Sequence, residues 1–272
     1  MQTGLSPDAM MAALAWQVEL GADEAICDAP VNRYREETPP PPVEAPAPAP
    51  APAQTPAPAS VHAAPASAPS EADPVAEARA RAAGAATLGA LAAAMADYDG
   101  CELKQGARSF VFADGNPQAR VMVVGEAPGR DEDLQGRPFV GRAGQLLDRM
   151  FAAIGLSRTS ADPAQALYIT NLLPWRPPQN RDPSPQELAM MTPFVTRHIE
   201  LADPAIVVTM GRFSLQALTG LSGITRVRGR WTQAAGRPCL PMLHPAYLLR
   251  NPASKREAWA DLLELKARLG GG

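Results

Sequence analysis

Residues 121–129 read Val-Met-Val-Val-Gly-Glu-Ala-Pro-Gly. Four apolar residues, three of them β-branched, run without a polar break into a turn stiffened by glycine and proline. That pattern predicts a strand buried on both faces and a loop at its carboxyl end. Three further runs have the same character: Leu167–Thr170, Ile206–Met210 and Leu240–Leu243. Segments with helical periodicity lie between or after them, at Arg142–Ile154, Pro185–Leu201, Arg212–Leu218 and Lys255–Leu269. Alternation of this kind predicts an α/β fold: a three-layer α/β/α arrangement around a four-stranded parallel sheet.

The sequence outside this block has a different composition. From Pro39 to about Ser70 the chain is almost entirely proline and alanine. Proline removes amide donors and restricts φ, so an extended, disordered linker is expected there. Ahead of it, Ser6-Pro7 opens a short helical pattern to about Leu20, closed by Gly21, with Ser6 as cap and Pro7 in the first turn. After it, an alanine-rich stretch from Asp73 to Ala96 reads as helical, with an interruption near Gly84. The expected organisation is a short N-terminal helical segment over 1–37, a Pro/Ala-rich linker over 38–80 and the main α/β domain over 81–272.

Charge follows the same division. The chain carries a formal −3, composed of −8 over residues 1–80 and +5 over residues 81–272. A basic body with an acidic tail hints at a polyanionic partner. No apolar run approaches the roughly 18–20 residues needed to cross a bilayer, and the N-terminus lacks the basic region of a secretion signal. Cys27, Cys101 and Cys239 are too few and too scattered for a disulfide scaffold, which fits a reducing compartment. A soluble cytoplasmic protein, without membrane association, is expected.

Ligands of open parallel sheets bind beyond the carboxyl ends of the strands, so the residues just after each run are the candidates. They are Gly125-Glu126-Ala127-Pro128-Gly129, then Asn171, then Gly211, then His244-Pro245. Each has an ordinary structural explanation by itself: a tight turn, a satisfied loop amide, a core histidine. The glycine-rich turn lacks both the phosphate-loop and the dinucleotide fingerprints. Their convergence on one sheet edge, a carboxylate, an amide and an imidazole together, is the informative feature.

Three longer motifs carry a resemblance. GEAPGRDEDLQGRPFVGRAGQLLDRM (Gly125 to Met150), NLLPWRPPQNRDPSP (Asn171 to Pro185) and HPAYLLRNP (His244 to Pro252) occur in this order. Together they are similar to the uracil-DNA glycosylase superfamily, and to its family 4 most of all, over roughly Leu103 to Leu269. The resemblance implies base excision repair: a uracil is flipped out of DNA and its N-glycosidic bond is hydrolysed to leave an abasic site.

It also implies roles. Phe139 would stack on the flipped base and Asn171 would read its edge, with Gly125 and Ala127 beside them in the substrate pocket. His244 would stabilise charge on the leaving base, and Glu126 would position the water. Leu248 would be the wedge that enters the vacated stack, with Tyr247 or Leu249 assisting. Ser214, Arg226, Arg228 and Arg250 would hold the DNA backbone. Family 4 enzymes bind a [4Fe–4S] cluster through four cysteines; the corresponding positions here are Cys101, Lys104, Trp175 and Met191. One thiolate cannot hold such a cluster, so no metal and no cofactor is expected. The partner is uracil-containing DNA, engaged by a monomer, with an unidentified protein partner possible for the N-terminal helix. Two other readings stay open from residues alone: a uracil- or abasic-DNA binding protein with little turnover, and a nucleotide-handling α/β hydrolase.

Overall fold

The computed structural model describes residues 73–271; the expected N-terminal helix and nearly all of the Pro/Ala-rich stretch lie outside them. The described chain opens with a helical hairpin, α1 (Pro74–Gly84) and α2 (Leu88–Ala96), followed by the short α3 (Leu103–Gly106). Asp73 caps α1 by accepting from the Val75 amide at 2.9 Å, with Pro74 in the first turn, and Thr87 caps α2 in the same way. These caps satisfy amides that a helix start leaves without partners.

Then come β1 (Ala113–Gly115), β2 (Val121–Gly125), α4 (Arg130–Gln135), α5 (Arg142–Ala152) and β3 (Leu167–Asn171). The second half contains α6 (Pro185–Ala202), β4 (Ile206–Met210), α7 (Arg212–Thr219), α8 (Ile224–Val227), β5 (Thr232–Ala234), β6 (Arg237–Met242), α9 (Pro245–Arg250) and α10 (Lys255–Gly270). Helix α6 starts on a reciprocal cap: Ser184 accepts from the Glu187 amide while the Glu187 carboxylate accepts from the Ser184 amide, as expected for a Ser-x-x-Glu start.

The sheet has six strands in the order β1-β3-β2-β4-β6-β5. The four expected strands form its parallel centre, β3-β2-β4-β6. A three-residue antiparallel strand is added at each edge, β1 on β3 and β5 on β6. The expected four-stranded sheet is therefore corrected to six strands of mixed direction. Ala-Asp-Gly and Thr-Gln-Ala are too short and too polar to signal strands; pairing to an existing edge makes them.

All five residues of β2, β3 and β4 are buried. Successive side chains point to opposite faces, and the two faces are covered differently. Val121 and Val123 pack with Leu147 and Phe151 of α5 and with Leu262 and Leu265 of α10. Met122 and Val124 pack with Val195 and Ile199 of α6 on the other side. The hairpin α1–α2 lies against α6, joining Ala78, Ala82, Leu91 and Met95 to Phe194. The expected domain start at residue 81 thus falls inside a packed helix.

Parallel pairing continues past the strand ends and fixes the loops there. The Leu172 amide donates to Gly125 O and the Leu173 amide to Glu126 O, both at 3.0 Å, and the Gly211 amide donates to Met242 O at 3.1 Å. Gly125 is in register with Asn171. The candidate residues therefore start from one level of the sheet. Among the described residues, no helix is long and apolar enough to cross a membrane.

Candidate active site

A cavity of about 310 Å³ opens at the carboxyl ends of the parallel strands. Glu126, Ala127, Phe139, Asn171, His244, Tyr247 and Arg250 line it. Gly125 is not part of the lining but lies directly against two residues that are: a Cβ there would lie 2.3 Å from Asn171 Oδ1 and 2.5 Å from Phe139 Cε2. Only a residue without a side chain lets the amide and the ring meet over the strand end.

Asn171 is 3% exposed. Neither its Oδ1 nor its Nδ2 has a hydrogen-bond partner. An unpaired buried polar group costs about 1–3 kcal/mol, so an amide left open on both atoms is held ready for something that enters the cavity.

Phe139 adopts a left-handed backbone, φ 53°, a conformation that costs a bulky residue roughly 1–3 kcal/mol. Its ring stacks against His244, with centroids 5.4 Å apart and planes at 28°. The loop that carries it is tied to α4, since Glu132 Oε1 accepts from the Val140 and Gly141 amides at 2.9 Å each. The other oxygen of Glu132 accepts from the Gly129 amide at 3.1 Å, so one carboxylate joins the loop after β2 to the loop before α5.

His244 is the N-cap of α9, and its Nδ1 accepts from the Ala246 amide at 3.1 Å. That bond places the proton of the neutral ring on Nε2. Burial, and secondarily the charge of Arg250, pull its pKa down to about 4. At neutral pH the ring is therefore an uncharged donor.

Glu126 sends Oε1 to the Phe213 amide at 2.9 Å, capping α7 from outside the helix. Gly211, φ 101°, permits this approach, because a Cβ would sit 2.4 Å from that oxygen. Burial raises the Glu126 pKa above the usual carboxylate value, against the lowering pull of the Phe213 and Arg212 amides. The Phe213 amide is bound to Oε1, and among the described residues no hydrogen bond of ordinary geometry is made to Oε2.

The mouth is built from two segments. Tyr247 and Arg250 project from α9, and Asn180, Arg181 and Asp182 come from the loop before α6. Arg181 is paired with Glu187 and Arg212 with Asp182.

The other expected DNA contacts are not brought to this cavity. Leu248, the expected wedge, is 1% exposed and packs with Leu146, Leu243 and Ala258. Leu249 rests against the same cluster. Helical spacing explains this: α9 turns Leu248 inward and leaves Tyr247 and Arg250 at the mouth. The Ser214 side chain is wholly buried. Arg228 is bound bidentately to the buried Asp261 of α10, so it serves the fold. Arg226 is exposed but lies outside the cavity lining, its guanidinium against Gly223. Sequence reading missed Arg158, Phe213 and the Asn180–Arg181 loop. The run PPQNRDP, dense in turn-forming residues between a strand and a capped helix, was the available signal for that loop.

The position implied for an iron–sulfur cluster is filled by side chains. Cys101 is buried in an apolar cluster with Leu103, Trp175, Met191 and Phe194. Burial raises the pKa of its thiol, the opposite of what a thiolate ligand needs. Lys104 is paired with Asp99 at 2.5 Å. Among the described residues no group of three or more His, Cys, Asp or Glu side chains stands close enough to hold a metal ion. One protonated thiol among apolar neighbours does not fit the cluster.

A cavity at the strand tips of an α/β sheet, walled by an aromatic ring, an open amide and a neutral imidazole, has the shape and donors of a small-molecule or base-binding site. Residues 112–263 match the family model of the Uracil DNA glycosylase superfamily. Among similar proteins is the type-4 uracil-DNA glycosylase of Archaeoglobus fulgidus, 39% identical over 61% of this chain and 84% of that protein. Those of Saccharolobus solfataricus and Thermotoga maritima are each 38% identical, covering 80% and 79% of their lengths. The chain belongs to the uracil DNA glycosylase superfamily.

Proposed function

We propose that this chain is a uracil-DNA glycosylase that removes uracil from DNA and leaves an abasic site. The observation that carries the reading is the Asn171 amide, buried and open on both atoms, in one cavity wall with the Phe139 ring and the His244 imidazole stacked on it. Relatives named type-4 uracil-DNA glycosylase support the substrate.

Extracting a base from the stack costs a few kcal/mol. Stacking on Phe139 returns roughly 1–3 kcal/mol of that. Asn171 Nδ2 then donates to O4 of uracil, and Oδ1 accepts from N3–H. Cytosine presents a donor at the first position and an acceptor at the second, so both contacts fail and buried groups stay unpaired, at about 1–3 kcal/mol each. Ala127 and Pro128 wall the cavity where thymine would bring its methyl group.

Breaking the N-glycosidic bond leaves positive charge on the sugar and negative charge on uracil. The neutral His244 donates its Nε2 proton in a hydrogen bond to O2, stabilising the anion as it forms. Glu126, its Oε2 free, orients water towards the anomeric carbon and accepts its proton. Arg250 and Tyr247 at the mouth contact the flanking DNA, and the phosphate role expected of Arg226 rests only on its exposure. We read the protein as a cytoplasmic monomer that works without a metal or cluster; its segment 1–37 and the part of the 38–80 linker that precedes α1 are appendages open to a protein partner.

The test is a single-uracil oligonucleotide followed by alkali. Strand scission by the wild type, lost in Asn171→Ala and His244→Ala, supports hydrolysis. A gel shift without scission would replace it with a binding role, and hydrolysis of free nucleotides alone would overturn it. Iron assayed on the purified protein at four atoms per chain would overturn the cluster-free reading.

A further inference from the structure

Arg158 lies outside the cavity lining, yet its guanidinium is spent on the loop that carries Phe139. Nη2 donates to Phe139 O and Nη1 to Pro138 O, both at 2.9 Å. The fork is itself held by Asp148 of α5 at 2.8 Å and by Asp114 of β1 at 3.1 Å. The Arg158 side chain is only 10% exposed.

The peptide that joins Phe139 to Val140 is thus gripped at both ends. Its carbonyl faces a cation, Arg158, and its amide faces an anion, Glu132. A peptide is a dipole, and these charges stabilise one orientation of it; because Arg158 also holds Pro138 O, the peptides on both sides of Phe139 are fixed, and with them its φ and ψ. Gly144 completes the fit from α5, where a Cβ would lie 1.8 Å from Phe139 O. Ring position follows from backbone orientation, because the Phe139 ring is seated over Gly125 and beside His244.

We propose that Arg158 is a positioning residue for base stacking: with Glu132 it clamps the 139–140 peptide and so holds the Phe139 ring where a flipped pyrimidine lands. This rests on the uracil-excision reading, since the stacked ligand is the extruded base. Arg158 touches neither substrate nor reacting atoms and acts only through Phe139.

The experiment combines Arg158→Gln and Arg158→Lys with a Phe139→Ala background, at a temperature where melting curves show every variant folded. Arg158→Gln should lower kcat/KM for uracil release by about 10- to 100-fold, the scale of a misplaced reacting group. Arg158→Lys, which keeps the charge but not the fork, should recover part of that loss. In Phe139→Ala the same Arg158→Gln change should add almost nothing, because the ring it positions is gone. Amide hydrogen exchange supplies a readout independent of activity: Val140 and Gly141 should exchange faster in Arg158→Gln, with α6 unchanged. Equal losses of activity in both backgrounds, or unaltered exchange at Val140 and Gly141, would overturn the clamp. If the wild type released no uracil, the excision reading would fall while the exchange measurement still decided the clamp.

Discussion

An alanine at position 125 would put its Cβ 2.3 Å from Asn171 Oδ1 and 2.5 Å from the Phe139 ring. Ordinary Cβ contacts are 3.4 Å or longer, so the amide, the ring or both must retreat by about 1 Å. Gly125 has no positive φ, so its backbone accepts alanine and the clash is confined to the site. Overpacking of this sort costs about 1–3 kcal/mol of stability, which lowers Tm by roughly 2–12 °C for a domain of this size. Displacement of a reacting group by 1 Å costs about 100-fold in rate. Gly125→Ala should therefore stay folded and lose about 100-fold in single-turnover uracil release, measured well below its Tm by alkali scission of a labelled oligonucleotide. Gly155→Ala is the control: φ is 88° there and no atom lies within 4 Å of the added Cβ, so it should lose stability and keep its rate. A folded Gly125→Ala enzyme within about 3-fold of wild type would refute the reasoning that packing over Gly125 sets the geometry.

Burial raises the Glu126 pKa, so activity should fall with acid at a pH above the ordinary carboxylate range, and Glu126→Gln should remove that limb along with most of the rate. His244 and His198 are held neutral, with pKa values lowered to about 4 and about 3, both chiefly by burial. Unfolded histidine titrates near 6.5, so the unfolded chain gains protons first, and melting temperature should drop as pH falls from about 6.5 towards 4. Asp261 is raised to about 6 by burial, against the pull of Arg228. Its ionised form is disfavoured in the fold, so removing the cation hurts most above pH 6. Arg228→Ala should cost about 3–5 kcal/mol at pH 7.5 and less at pH 5, with the salt dependence of DNA binding unchanged; a weaker salt slope would restore Arg228 to the DNA interface. A chain starting at residue 73 should keep excision, whereas one starting at 81 strips Ala78 and the Tyr98–Pro74 hydrogen bond from the α6 layer and should melt at a lower temperature.

The parallel centre of the sheet was legible because double burial writes itself as unbroken β-branched runs. The two edge strands were not, since Ala113–Gly115 and Thr232–Ala234 owe their conformation to a neighbouring strand and to nothing in their own composition. The site followed from one rule, that residues just past parallel strands meet, and Glu126, Asn171 and His244 do line one cavity. What failed was the assignment of residues by motif position within a helix. Leu248 and Tyr247 are adjacent in sequence, but helical geometry turns one into the core and the other to the mouth. Arg228 failed for a related reason: a lone arginine looks alike whether its partner is phosphate or a carboxylate 33 residues away. Arg158 was invisible because the groups it donates to in the Phe139 loop are backbone carbonyls, which carry no residue identity, and its carboxylate partners lie 10 and 44 residues away.

The site holds two costs that an isolated fold would avoid: an amide without partners and an aromatic residue with left-handed backbone. Both are tolerated because rigid neighbours leave no cheaper arrangement. Gly125 and Gly144 remove the side chains that would keep ring, amide and loop apart, and Glu132 and Arg158 supply opposite charges at the two ends of a single peptide. In the proposed reading uracil would relieve the first cost directly, its O4 and N3–H satisfying the atoms that Asn171 leaves open, while cytosine would leave the cost standing. On that reading selectivity comes from an unfavourable unpaired amide that only the correct base would satisfy. Stabilising substitutions that give Asn171 a partner inside the protein should therefore raise Tm and weaken discrimination together.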